Sequence, residues 1–194
     1  MKIVFATHNN NKLKEVKALL PNTITLISLT DINCLDDIPE TANTIEGNAI
    51  QKANYITEKY NLPCFSDDTG LLVDALNGEP GIYSARYAGE QKNSEDNMAK
   101  LLYKLENNTN RAAHFKTAIA LNLNGEQLVF NGIVEGTITT DKQGKEGFGY
   151  DPIFKPNGYS QTFAELPLDT KNQISHRAKA TKQLIAYLKD YKNV

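Results

Sequence analysis

Strand-like and helix-like segments alternate along the chain, which places it in the α/β class. Three stretches carry that reading. Residues 2–6 string four apolar side chains together, as a strand buried on both faces does, and Leu13, Val16 and Leu20 then recur at helical spacing until Pro21. Beyond Thr44, a candidate helix cap, Ile45, Ala49, Ala53, Ile56 and Tyr60 fall at near-fourfold spacing, the apolar stripe of a helix laid on a sheet. Finally, Asn124-Gly125 separates two long apolar-polar runs, residues 111–122 and 126–140, and marks a hairpin turn. Shorter signals fill the gaps: a second strand at residues 24–29, a helix from Ser94 with Met98, Leu101, Leu102 and Leu105 inward, and a last helix with Ala180, Leu184, Leu188 and Tyr191 on one face.

With 194 residues, the chain suffices for a single domain or two tightly fused lobes. Apolar residues make up 40%, and no run approaches the length that spans a bilayer; the first segment turns polar too soon for a secretory signal. A cytoplasmic protein without a membrane partner is therefore expected. Cys34 and Cys64 lack the spacing of a zinc site and are expected as packed thiols. The net charge of −2 leaves no general footprint for nucleic acid, so lysines that bind phosphate must do so locally.

The chemistry concentrates in a few places. Thr7-His8-Asn9-Asn10-Asn11-Lys12 links the first strand to the first helix, where outward N–H groups and the helix dipole suit an anion; an Asn-rich helix cap explains the same residues equally well. In the stretch from Ser66 to Gly89, Asp67 and Asp68 follow an apolar run. Alternation in a strand sends them to opposite sides, so one is structural and the other can offer carboxylate oxygen to a hard cation; a solvated turn is the plainer alternative. Glu46 sits in the first turn of a helix, where the dipole stabilises a carboxylate with or without a metal, and Lys52 lies further along it. Gly147-Phe148-Gly149 sets small residues around a ring that could stack on a flat base, or simply make a turn. Ser175 fits an N-cap, which leaves His176 and Arg177 in a first turn where positive groups oppose the dipole and point to a ligand.

Taken in order, the loop from Thr7 to Lys12, Ser66-Asp67-Asp68-Thr69-Gly70-Leu71 through Arg86-Tyr87-Ala88-Gly89, Gly147-Phe148-Gly149-Tyr150-Asp151-Pro152 and Ser175-His176-Arg177 resemble the inosine triphosphate pyrophosphatase family over essentially the whole chain. The resemblance implies an elongated α/β fold: a long mixed β-sheet with flanking helices, two lobes around a central cleft, and a homodimer. It implies Mg2+-dependent hydrolysis of ITP, dITP and XTP to the monophosphate and pyrophosphate. Asp68 would be the catalytic acidic residue and a metal ligand, with Glu46 as the second ligand. Thr7, His8, Asn9, Asn10, Asn11 and Lys12 would hold the triphosphate, helped by Lys52 and Lys171. Thr69 would contact substrate, Phe148 would stack on the base within Phe148, Gly149, Tyr150 and Asp151, and His176 and Arg177 would face the purine 6-position. Many members carry an acidic metal ligand directly after the Glu46 position, where this chain has Gly47. A nucleotide sensor without turnover is the alternative from a different class.

Overall fold

A computed structural model describes residues 1–191. Its strands are β1 (Lys2–Phe5), β2 (Thr25–Ile27), β3 (Cys64–Val73), β4 (Pro80–Gly81), β5 (Ala112–Leu123), β6 (Glu126–Ile138) and β7 (Phe154–Pro156). Its helices are α1 (Asn10–Leu19), α2 (Ile45–Tyr60), α3 (Ser94–Lys104), α4 (Leu168–Ile174) and α5 (His176–Tyr191). The strands hydrogen-bond in the order β2-β1-β3-β5-β6-β7, with β4 added to β3. β1 runs parallel to β2 and β3, whereas β3 with β4 and β6 with β7 are antiparallel, so the sheet is mixed. No helix among the described residues is long and apolar enough to cross a membrane.

Local chemistry accounts for most element ends. Asn9 caps α1 by accepting from Asn11 and Lys12, and Thr44 caps α2 by accepting from Gly47. Asn61, in the left-handed conformation, closes α2. The solvated turn, the plainer alternative at Asp67 and Asp68, is not formed: β3 runs ten residues straight through both. Helix α4 was not anticipated, because its seven residues, LDTKNQI, carry no apolar period to reveal it.

The chain divides into two compact units: one from Met1–Asp68, Thr117–Gly132 and the segment from Arg177 onward, the other from Thr69–Lys116 and Ile133–His176. In the first unit, β1 is buried on both faces with strict period two. Ile3 and Phe5 join a cluster with Val16 of α1 and Ala180, Leu184 and Leu188 of α5, while Val4 and Ala6 join another with Ile56 of α2. Phe5 and Phe65, register partners on β1 and β3, stack at 4.6 Å between ring centroids. Cys34 and Cys64 are buried thiols in the α2-side cluster, and burial pushes the Cys64 thiol up. The second unit has its own core, in which the Phe154 ring lies 4.6 Å from Phe115 and 5.3 Å from Phe163. Each such ring contributes about 1.5–3 kcal/mol by leaving water.

Candidate active site

The alternation of β3 sorts its polar residues between two groups of helices. Phe65 belongs to the cluster built with α1 and α5, and Asp67, two residues on, keeps that side. Ser66 and Asp68 take the other side, where the Ser66 hydroxyl donates to the Ala49 carbonyl of α2.

Asp67 is fully buried and doubly paired. Lys12 Nζ reaches its Oδ1 at 2.9 Å and Arg177 Nε its Oδ2 at 2.9 Å. Arg177 in turn places Nη1 2.5 Å from Glu15 Oε2, in an arginine side chain only 2% exposed. Burial alone would raise the Asp67 carboxyl; Lys12, Arg177 and Lys52 outweigh it and hold the group well below the usual carboxylate range. Arg177, expected at the purine 6-position, spends two of its donor nitrogens on Asp67 and Glu15 inside the first unit. The Lys12 ammonium is likewise engaged by Asp67 rather than presented to solvent, and burial pulls its pKa down.

Asp68 is different. Asn48 Nδ2 donates to its Oδ2 at 3.1 Å, Lys52 Nζ stands 3.8 Å from its Oδ1, and 12% of the side chain stays exposed. Desolvation dominates here and raises the Asp68 carboxyl against the pull of Lys52 and Lys12. Lys52 also binds Glu40, whose side chain is 32% exposed. Glu40 lies on the polar connection before α2, which carries no motif, and its role was not legible in the sequence. Glu46, expected as a second metal ligand, lies half-buried in the first turn of α2; among the described residues it is Glu40 that shares Lys52 with Asp68. Burial would lower Lys52, but Asp68, Glu40 and Asp67 outweigh it and raise its pKa. Gly47 also finds its reason in this corner. A Cβ there would sit 2.7 Å from the Ala42 Cβ and 2.9 Å from the Thr44 hydroxyl, so no acidic side chain fits.

In the first loop, the capping alternative is realised at Asn9, whose Oδ1 takes the N–H groups of Asn11 at 2.9 Å and Lys12 at 3.2 Å. The Asn9 N–H itself donates to the Thr7 hydroxyl, and His8 Nε2 lies 2.8 Å from the Asp36 carbonyl. Asn10 and Asn11 are exposed.

In the second unit, Thr69 continues β3 and is half-buried. Asp151 accepts from the Phe148 N–H at 2.7 Å and from Lys171 Nζ at 2.6 Å, and the ammonium lies 5.0 Å from the Phe148 ring centre. Lys171 was expected at the triphosphate and Asp151 at the base; both side chains are 4% exposed, and each neutralises the other beneath Phe148. Gly149 and Phe148 are half-buried, and Tyr150 is buried with its hydroxyl on the Ser84 carbonyl. His176, expected at the purine, stacks on Phe115 at 4.5 Å within the aromatic core and is 4% exposed. His176 thus belongs to the second unit's aromatic core, and Arg177 pairs with Asp67 and Glu15 in the first unit.

A family model, that of the Ham1 family, matches residues 3–187. The chain belongs to the Ham1 family. Among Ham1 relatives, the dITP/XTP pyrophosphatase of Flavobacterium johnsoniae is 65% identical over 188 residues, covering 97% of this chain and 98% of its own. The dITP/XTP pyrophosphatase of Porphyromonas gingivalis is 48% identical over 96% of this chain and 97% of its own. Of solved Ham1 structures, the Ham1 protein of Staphylococcus aureus superposes with a TM-score of 0.90 at 43% identity, over 98% of this chain and all, 100%, of that one.

Proposed function

We propose that this chain hydrolyses non-canonical purine nucleoside triphosphates, ITP, dITP and XTP, to the monophosphate and pyrophosphate, with Asp68 as general base. In the reaction, water attacks the α-phosphorus and its proton passes to Asp68. The bond from the α-phosphorus to the bridging oxygen breaks, and pyrophosphate leaves with that electron pair. One observation carries the assignment: of two adjacent aspartates, Asp67 is sealed and doubly neutralised, whereas Asp68 keeps an exposed edge and a raised affinity for a proton. The names of the relatives support the substrate class.

Lys52 and Lys12 are the cations for the polyphosphate, and Thr7, Asn10 and Asn11 supply further donors beside the α1 N-terminus. Their present carboxylate partners hold both ammoniums in the first unit until a more highly charged anion competes for them. For the base, Phe148 is the proposed stacking ring, held by Asp151 and Lys171 rather than joined by them. Arg177 enters as the fixer of Asp67.

Mg2+ fits the donor set. Asp68 and Glu40 already share one cation, the Lys52 ammonium, and carboxylate oxygen suits a hard ion that also takes water and phosphate oxygen. Because both meet at the Lys52 ammonium, Asp68 with Glu40, rather than Glu46, would hold the ion. When bound it would neutralise charge on the phosphates. The reading further includes one domain of two fused lobes and a cytoplasmic location, expected from chain length and composition, and a homodimer, taken from the resemblance.

The test is a panel of dITP, ITP, XTP, ATP and GTP assayed for pyrophosphate against orthophosphate, with and without Mg2+. Pyrophosphate from the 6-oxopurines dITP, ITP and XTP, lost in Asp68→Asn, is expected. Orthophosphate release, or full turnover by Asp68→Asn, would overturn the reading.

A further inference from the structure

We infer that Asn48 is a positioning residue for this reaction: it pins one oxygen of Asp68 so that the other is kept for the attacking water and the ion. The inference rests on the reading of Asp68 as the base. Asn48 is 2% exposed and uses both ends of its amide. Its Oδ1 accepts the Ala42 N–H at 2.9 Å, and its Nδ2 donates to Asp68 Oδ2 at 3.1 Å. A backbone N–H can only donate, so the carbonyl end must face Ala42 and the amino end must face Asp68. The orientation of the amide is thus dictated, and with it which carboxylate oxygen is held.

The surroundings fix Asn48 in turn. Its own N–H closes the first turn of α2 on the Thr44 carbonyl at 3.0 Å. The strap bearing Ala42 is docked on α2 by a reciprocal pair: Thr41 N–H to Gln51 Oε1 at 2.9 Å, and Gln51 Nε2 to the Thr41 hydroxyl at 3.0 Å. Gly47 lets the strap come this close, since any Cβ there would strike Ala42. One helical turn beyond Asn48, Lys52 faces the other oxygen, Oδ1. A carboxylate not held in this way swings about its broad terminal torsion, and a base must be aligned to act.

The experiment measures pyrophosphate release from dITP by the wild type, Asn48→Ser, Asp68→Asn and the double variant, with melting curves for each. A serine hydroxyl is too short to bridge Ala42 and Asp68. Asn48→Ser is expected to lower kcat about 10–100-fold, the usual effect of removing a group that orients a working ligand, with KM little changed. The double variant is expected to be no slower than Asp68→Asn. Wild-type kcat in Asn48→Ser, or losses that multiply in the double variant as independent damage would, overturns the role of Asn48 while leaving the base assignment standing. Turnover by Asp68→Asn at the wild-type rate overturns the base assignment instead. Should Asn48→Ser not fold, Gly47→Ala displaces Ala42 without altering Asn48: a kcat loss at constant KM supports the inference, and an unchanged kcat overturns it.

Discussion

Asp67 and Asp68 stand on opposite sides of β3 and are held by different helices, the first by Lys12 of α1 and Arg177 of α5, the second by Asn48 and Lys52 of α2. One carboxylate is thereby made a structural charge and its neighbour a reactive one, although nothing but the pleat distinguishes them.

Replacement of the two should give opposite signatures. Asp67→Ala leaves Lys12 and Arg177 buried without their shared anion and is expected to cost about 3–5 kcal/mol in urea unfolding. Asp68→Asn keeps the hydrogen-bonded shape and should unfold near the wild-type midpoint, while turnover of dITP falls about 10²–10⁴-fold, the worth of a general base. Equal unfolding midpoints for the two variants would contradict the division of labour.

Stability should follow pH with a definite sign. Because the folded Asp67 carboxyl lies well below the unfolded value of 3.8, its stabilisation is fully present above that value. It is lost as pH falls further, since the unfolded chain takes up the proton first. Urea midpoints of wild type and Asp67→Asn should therefore differ most near neutrality and converge below about pH 4, the ordinary range of an aspartate. A gap that widens on acidification would refute this account.

The Phe148 loop offers a separate test. Gly147 has φ +79°, and a Cβ there would lie 2.2 Å from the Asp151 Oδ2 that holds Phe148 N–H and Lys171. Gly147→Ala should cost roughly 1–2 kcal/mol in stability for the left-handed backbone. It should also raise KM for dITP more than it lowers kcat, as expected if the loop carries the base-stacking ring. A kcat effect alone would place Phe148 elsewhere in the reaction.

Chelation distinguishes the two candidate metal carboxylates. Removal of divalent ions should abolish pyrophosphate release, and Mg2+ should restore it. Glu40→Gln should raise the Mg2+ concentration needed for half-maximal rate about 10-fold or more, in line with the loss of one ligating or supporting group. Glu46→Gln should leave it near the wild-type value. The reverse order would return the second ligand to α2.

How far the sequence reveals this molecule depends on the separation of the groups involved. Periodicity within a segment was enough for the double-sided burial of β1, the Thr44 cap and the opposed aspartates, because each is decided by residues two to four apart. The pairs that define the site are not of that kind. Arg177 meets Asp67 across 110 positions and Glu15 across 162, so Arg177 reads in the sequence as a ligand-binding cation at a helix start and nothing marks Glu15 as its partner. Asn48 and Glu40 carry no motif, and only the docking of the strap on α2 makes them neighbours of Asp68.

The first unit is assembled from three separated stretches of chain, with α5 completing the cluster begun by β1 and α1. A growing polypeptide on the ribosome would thus carry its acidic β3 residue through more than a hundred further additions before the matching guanidinium emerged. Early release, or a stop codon ahead of that last helix, should yield a product destined for degradation rather than a slow enzyme.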